Sequence, residues 1–238
     1  MPETLEDLVM MQPPTTERPL LGSMVLVVED SRHACEALRL ICQRSGARIR
    51  RAESLSSAER HLRTYRPRIA VVDLGLPDGS GLSLIERLAN SDPRIDGIIA
   101  MSGDEALRDA ALSAGADAFL AKPLSSVAQF QKTALSLMPE SYRNVAITVS
   151  DADDVEPEPI ALRDDLALAA ELLRTSEDTP TLTYIAGFLE SLGKGASRPS
   201  IAKLGAEVRT LAPQQPDRAQ LNAIATRVED AAQVLEQV

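Results

Sequence analysis

The segment VVDLGLPDGSG, from Val71 to Gly81, decides the predicted fold. It opens with the end of a short β-branched run and continues with Gly and Pro, a pattern typical of a buried strand that ends in a loop. We therefore expect Asp73 at the carboxyl end of a strand. Ligands bind at this edge in open α/β sheets, so the sequence predicts that Asp73 faces a functional site.

Strand-like and helix-like segments alternate on both sides of this segment. The first apolar run, MVLVV, begins at Met24 and leads into a helical pattern that stops at Gly46. Further strand-like segments are ARIRRA, RIAVVD, GIIAMS and DAFLAK. Helical stretches lie near 55–65, 80–89 and 105–114, and a closing one lies at 126–138. Five strands with intervening helices predict an α/β domain with a parallel, doubly wound sheet.

The second half of the chain has a helical pattern. From Ile160 to Val238, apolar residues recur at spacings of three and four, which predicts a small all-α bundle of about four helices. Asp217, followed by Gln220, resembles the capping box of the last helix. We expect the last two helices to form an antiparallel hairpin. The same spacing suits a short coiled coil, so a homodimer is left open.

Composition marks the remaining boundaries. Residues 1–21 contain four prolines and little periodicity, which is typical of a flexible tail. Residues 151–158 carry five acids and precede Pro159, which indicates a solvated linker. The predicted divisions are a tail at 1–21, an α/β domain at 22–139, an acidic linker at 140–159 and a helical domain at 160–238. The strand-like stretch NVAITV, 144–149, has no assigned place.

Charge disfavours two classes of partner. The chain has 25 Lys and Arg against 35 Asp and Glu, a formal net charge of −10, which opposes binding to nucleic-acid phosphates or anionic membranes. Residues 141–238 alone hold nine basic and sixteen acidic residues, a balance of −7. No apolar run approaches the roughly 20 residues that span a bilayer. We expect a soluble, cytoplasmic protein without a membrane partner, and DNA is disfavoured.

Acidic residues lie at the ends of two strands that a parallel sheet brings together. Glu29 and Asp30 follow the first strand, and Asp73 ends the third. Three carboxylates in one pocket repel each other unless a cation shares the site, and a hard divalent ion such as Mg²⁺ suits carboxylate oxygens. For Asp30 alone, capping of the following helix is the competing interpretation.

Two further polar residues are expected at the same edge. Lys122 follows the fifth strand and Ser102 ends the fourth. With the acids, they supply what an acyl phosphate on Asp73 needs: a nucleophile, a metal ion, a second cation for the phosphoryl oxygens and a hydroxyl donor.

The order of these residues resembles the receiver domain of two-component response regulators. The resemblance covers about the first 139 residues and implies a flavodoxin-like fold. It is carried by Glu29-Asp30, Asp73 with LGLPDGSG around it, Ser102, Phe119 and Lys122-Pro123.

The resemblance also implies a role for each residue. Asp73 would be the phosphoacceptor, and Lys122 would contact the phosphoryl group. Ser102 and Phe119 would be the switch hydroxyl and the switch aromatic residue. The implied Mg²⁺ ligands are Glu29, Asp30, Asp73 and the backbone carbonyl of Gly75.

Two rival interpretations lack the residues they need. Phosphatases of the haloacid-dehalogenase type usually have a second Asp two residues after the nucleophile, where this chain has Gly75. A phosphohistidine carrier needs a histidine on its bundle, but the chain's two histidines are His33 and His61, both in the first domain.

The sequence therefore predicts a response regulator that is not an enzyme. A sensor histidine kinase or a phosphotransfer protein would donate the phosphoryl group, and the helical domain would bind a downstream protein. The alternative is a receiver that controls a divergent DNA-binding or enzymatic effector domain.

Overall fold

The computed structural model describes residues 13–143 and 154–237. Contacts divide the chain into two compact units, one of residues 1–30 and 37–156, the other of residues 31–36 and 157–238. The stretch NVAITV lies outside the described residues. Within the described part of the predicted tail, Leu20 is buried and its amide donates to the Ser45 carbonyl at 2.9 Å.

The first unit is built on a five-stranded parallel sheet, which confirms the predicted fold class. The strands are β1 (Met24–Val28), β2 (Arg48–Ala52), β3 (Ile69–Asp73), β4 (Gly75–Leu76), β5 (Gly79–Ser80), β6 (Gly97–Ser102) and β7 (Ala118–Ala121). The main sheet has the order β2-β1-β3-β6-β7, and β4 and β5 form a separate antiparallel pair. Strands β1, β3 and β6 are almost wholly buried, as expected where helices cover both faces of a parallel sheet.

Helices follow most strands of this unit. They are α1 (Arg32–Ser45), α2 (Leu55–Thr64), α3 (Gly81–Ala89), α4 (Arg108–Ser113), α5 (Val127–Leu137) and α6 (Glu140–Arg143). Serines cap three of them, because a serine hydroxyl accepts from a first-turn amide of α2, α3 and α5. The helix expected near 105–114 is a 3₁₀ turn, Glu105–Leu107, followed by α4. The first turn of α1, up to Glu36, belongs to the second unit.

Sheet register positions the acidic residues. Val28 of β1 pairs with Val72 of β3, so Glu29 follows its strand beside Asp73. On the other side, Asp73 pairs with Met101 of β6, one residue before Ser102. The carboxyl ends of β1, β3 and β6 therefore form one edge of the sheet.

The second unit is helical, as predicted. Its helices are α7 (Pro159–Thr175), α8 (Thr179–Gly195), α9 (Pro199–Leu211) and α10 (Arg218–Gln233), with 3₁₀ turns at Ala212–Gln214 and Val234–Gln237. Their apolar residues form one buried cluster. The capping box is present: the Asp217 carboxylate accepts from the Gln220 amide, and the Gln220 side chain accepts from the Asp217 amide. No described helix of the chain has the length and low polarity needed to cross a bilayer.

Helix pairing in this unit differs from the expected hairpin of the last two helices. Helix α10 packs mainly against α7, and α9 packs mainly against α8. Arg174 and Glu229 pair across α7 and α10, and the Arg209 Nε atom lies 2.8 Å from Glu190 Oε1 across α9 and α8. The apolar spacing is the same for every helix, so it could not reveal which helices pair.

The close approach of α8 and α9 depends on Gly193. A β-carbon at this position would lie 2.3 Å from the Ala202 amide nitrogen and 2.8 Å from its Cα. These atoms belong to the backbone of the facing helix, so they cannot move aside without separating the two helices. Gly187, six residues earlier on α8, has room: a β-carbon there would meet only the Arg209 guanidinium at 3.6 Å.

We predict that Gly193→Ala destabilises the helical unit by about 2–4 kcal/mol, because the added methyl group overpacks two backbones. Gly187→Ala is the matched control and should be neutral or stabilising by up to about 1 kcal/mol, since Ala favours helix. Hydrogen exchange of residues 179–211 in the full chain measures both effects. Equal protection in the two variants would contradict this account of the packing.

Candidate functional site

Three carboxylates meet at the carboxyl edge of the parallel sheet. Glu29 and Asp73 are buried, and Asp30 is half-buried. One oxygen of each lies within 4.8 Å of an oxygen of the other two. The structure thus brings together the acids that the sequence predicted to converge.

Lys122 links two of these carboxylates. Its Nζ atom lies 2.6 Å from Glu29 Oε2 and 3.1 Å from Asp73 Oδ1. Its backbone amide donates to the Ser102 carbonyl at 2.8 Å, which continues the pairing of β6 and β7 beyond the end of β7. Only 8% of the lysine side chain is exposed, so the ammonium group exchanges its hydration for carboxylate oxygens.

Burial and charge act in opposite directions on the ionisation of this group. Burial alone lowers the pKa of Lys122, but the charges of Asp73 and Glu29 together outweigh it and raise the pKa above its ordinary value. Burial also raises the pKa of Glu29, and the negative charges of Asp73 and Asp30 add to this while Lys122 opposes it. One ammonium group therefore faces three carboxyl groups that compete for positive charge.

The donor set fits a hard divalent cation. Carboxylate oxygens are the preferred protein ligands of Mg²⁺, which usually takes only a few of them and keeps several waters. Glu29, Asp30 and Asp73 offer such oxygens around a site with a deficit of positive charge. Gly75 lies close by, since a β-carbon at Gly75 would be 3.9 Å from Asp73 Oδ2.

Ser102 and Phe119 lie on the neighbouring strands β6 and β7. Ser102 is buried at the end of β6, and its Oγ accepts a hydrogen bond from the Asp104 amide at 3.1 Å. Phe119 is 7% exposed. The guanidinium carbon of Arg108 lies 4.7 Å from the centre of that ring, a cation–π distance.

The loop after Asp73 is held closely against the strand that precedes it. A β-carbon on Gly81 would lie 2.0 Å from the Asp73 carbonyl oxygen, so only glycine fits. The Gly81 amide donates to the Leu74 carbonyl at 3.2 Å. Gly81 therefore permits the chain to turn back beside Asp73, the candidate phosphoacceptor.

Asp78, which the sequence analysis did not single out, fixes the same loop to α2. Its carboxylate accepts from the Leu55 amide at 2.8 Å and the Ser56 amide at 3.0 Å, both in the first turn of that helix. Partial burial alone raises the pKa of Asp78, but the hydrogen bonds from Ser56 and Leu55 outweigh it and hold the pKa below its ordinary value. The Pro-Asp-Gly sequence signals a turn, but not which helix the aspartate caps.

A family comparison agrees with the fold of the first unit. Residues 25–133 match the response regulator receiver domain. The match confirms the predicted resemblance for these residues. Residues 25–133 are therefore similar to response regulator receiver domains.

Curated relatives match the same part of the chain. The virulence transcriptional regulatory protein PhoP of Salmonella typhimurium LT2 is 41% identical over 101 residues, which cover 42% of this chain and 45% of PhoP. The transcriptional regulatory protein PhoP of Escherichia coli K12 has the same identity and coverage. The match thus spans less than half the length of these relatives.

Solved structures similar to this chain include two with an occupied site. One is a response regulator from Burkholderia pseudomallei with a phosphorylated aspartic acid, a calcium ion and citrate. It has a TM-score of 0.44 and 28% identity, and the match covers 51% of this chain and 69% of that one. The other is the receiver domain of a sensor histidine kinase from Pseudomonas aeruginosa with a magnesium ion in its active-site cleft. It has a TM-score of 0.44 and 24% identity, and the match covers 48% of this chain and 96% of that one.

We predict that Asp78→Ala destabilises the receiver by about 1 kcal/mol, since it removes a capping carboxylate from α2. Asp78→Asn retains one acceptor and should lose less. The folded-state pKa of Asp78 is lowered, so its contribution is present above the unfolded pKa and is lost as pH falls through the folded pKa. Urea unfolding of the full chain at pH 7 and at pH 3 measures this: the difference between wild type and Asp78→Ala should shrink at pH 3, and a difference that grows there would contradict the assignment.

Proposed function

We propose that this chain is a response regulator that accepts a phosphoryl group on Asp73. The observation that carries the proposal is the contact of the buried Lys122 ammonium with Asp73 and Glu29, in a cluster of three carboxylates. The proposed Mg²⁺ ligands are Glu29, Asp30, Asp73 and the backbone carbonyl of Gly75. When bound, Mg²⁺ supplies positive charge to the carboxylates and to the oxygens of the incoming phosphoryl group.

Each side chain has a defined task in this reaction. An Asp73 carboxylate oxygen attacks the phosphorus atom, a bond to that oxygen forms, and the bond from phosphorus to the donor's leaving atom breaks. The product is an aspartyl phosphate, and the donor departs with the electron pair of the broken bond. Lys122 binds a phosphoryl oxygen. The Ser102 hydroxyl accepts from the Asp104 amide, so its own proton can be donated to a second phosphoryl oxygen.

The proposed donor is a phosphohistidine of a sensor histidine kinase or a phosphotransfer protein. When its P–N bond breaks, the imidazole nitrogen keeps the electron pair and takes a proton from solvent, so the leaving group is neutral imidazole. Ser102 and Phe119 are proposed to transmit the phosphorylated state. Phe119 supports this role because its ring lies on β7, the strand beside Ser102, and is enclosed between the core and Arg108. Ser102 pairs with Ala121, two residues after Phe119 on β7, so a change at Ser102 would reach Phe119 through that strand.

The helical domain is proposed to act as a protein-binding output and not as an enzyme. Four arginines of this domain pair with glutamates on neighbouring elements, so their charge is already satisfied within the bundle. These pairs are Arg174–Glu229, Arg209–Glu190, Arg218–Glu177 and Arg227–Glu207. With the excess of acids in residues 141–238, they leave little positive charge for a DNA backbone.

Control of transcription is the second candidate, because the PhoP relatives are named transcriptional regulatory proteins. Their similarity to this chain lies in the receiver part and spans 45% of their length. A divergent DNA-binding or enzymatic effector therefore remains the alternative output, and self-association of the chain remains open in both proposals.

We predict that the full chain gains one phosphoryl group from acetyl phosphate in a Mg²⁺-dependent reaction, and that Asp73→Asn abolishes this gain because the amide is not a nucleophile. Intact-mass spectrometry with and without EDTA measures the modification. Asp109→Asn, which removes an exposed acid of α4, is the control and should react like the wild type. Undiminished labelling of Asp73→Asn would refute the assignment.

We also predict that the phosphorylated full chain does not bind random-sequence duplex DNA at physiological salt, because the chain has a net charge of −10. Fluorescence anisotropy over a range of salt concentrations tests this. Micromolar binding that weakens steeply with added salt would contradict the prediction and favour the DNA-binding alternative.

A further inference from the structure

Asp165, in the middle of α7, is a buried acid that the proposed reaction does not use. Only 1% of it is exposed. Its carboxylate accepts three hydrogen bonds: from the Ser31 hydroxyl at 2.8 Å, the Arg32 amide at 2.9 Å and the His33 amide at 3.0 Å. All four residues belong to the second compact unit.

These bonds complete the start of α1. The first amides of a helix have no partner within the helix. Here Asp165 accepts from the amides of Arg32 and His33, while the Ser31 hydroxyl oxygen accepts from the Ala34 amide at 3.0 Å. The negative charge of Asp165 also lies at the positive end of the α1 dipole. A residue 132 to 134 positions away along the chain thus caps this helix.

The capped turn directly follows two of the proposed cation ligands. Glu29 and Asp30 form the short connection between β1 and Ser31. At one end of this connection, the Glu29 amide donates to the Ala52 carbonyl at 2.9 Å. At the other end, Ser31 is fixed by its bond to Asp165. Because Asp30 is covalently joined to Ser31, the fixed position of Ser31 also restricts the backbone that bears the Glu29 and Asp30 carboxylates.

We propose that Asp165 is a positioning residue for the cation site, which lets the helical unit set how readily the receiver is phosphorylated. The inference rests on the proposed function. A connection held at both ends loses less conformational freedom when its carboxylates close around a cation, so binding is stronger. Linkage makes the effect reciprocal: cation binding also strengthens the hydrogen bonds to Asp165.

Asp164 provides a matched control on the same helix. Its carboxylate lies 2.6 Å from the Arg32 guanidinium. The Arg32 side chain is 60% exposed and the Asp164 side chain 37% exposed, and no bond of Asp164 to the α1 backbone is seen among the described residues. Replacing either acid by its amide removes one negative charge. A difference between Asp165→Asn and Asp164→Asn therefore reports the backbone bonds and not the overall charge.

The test is Mg²⁺ affinity of the full chain, measured by calorimetry, together with the rate of labelling by acetyl phosphate at low and saturating Mg²⁺. We expect Asp165→Asn to weaken Mg²⁺ binding by about 10-fold, the lower limit usual for a residue that orients metal ligands. Its labelling should be slow at low Mg²⁺ and approach the wild-type rate at saturation. Asp164→Asn should stay within about twofold of the wild type under both conditions, since exposed ion pairs contribute little.

A second measurement uses the wild type alone, so it does not depend on whether Asp165→Asn folds. In the wild type, added Mg²⁺ should slow hydrogen exchange of the Arg32 and His33 amides. Unchanged exchange there, or a folded Asp165→Asn with wild-type Mg²⁺ affinity, would overturn the inference alone. If the wild type bound no Mg²⁺ and took up no phosphoryl group, the proposed function itself would fail.

Discussion

Compensation of negative charge at one edge of the parallel sheet is the constraint on which the receiver depends. Register places Glu29 beside Asp73, and Asp30 completes a cluster whose oxygens lie within 4.8 Å of one another. Such a cluster is costly when buried unless cations share it. Lys122 supplies one positive charge at 2.6 and 3.1 Å from two of the acids. The remaining deficit of positive charge favours a divalent cation, and in the proposed reaction that cation would also offset the repulsion between the carboxylates and an anionic phosphoryl group.

The loops around this edge are fixed by contacts that lie outside it. Gly81 allows the chain after Asp73 to turn back against its carbonyl, and Asp78 attaches that loop to the first turn of α2. The connection that carries Glu29 and Asp30 leads into a turn capped by Asp165. Rigid supports of this kind reduce the reorganisation needed when charge arrives at a site. The segment with Glu29 and Asp30 thus enters a helix whose first amides bind Asp165, whereas the loop after Asp73 itself carries the aspartate that binds the first amides of α2.

The sequence predicted the sheet, the helical second half and the residues of the candidate site, because each has a local signal. Alternating periodicity identified the strands, and an acid at the end of β1 or β3 must reach the carboxyl edge of the sheet. The cap that Asp165 provides has no such signal, since it joins residues 132 to 134 positions apart. The pairing of α8 with α9 was missed for a related reason. It depends on the absence of a side chain at Gly193. Periodicity does not show whether a glycine in a helix permits close packing or only weakens the helix.

The most direct test of the central claim is to locate a divalent cation by paramagnetic broadening of amide signals with substoichiometric Mn²⁺ in the full chain. If the carboxylate cluster is the cation site, signals of residues 28–31 and 73–76 broaden first, and excess Mg²⁺ restores them. Broadening that begins instead in the acidic stretch 151–158, with residues 28–31 and 73–76 unaffected, would contradict the account. It would show that net acidity, and not the geometry around Asp73 and Lys122, attracts the ion.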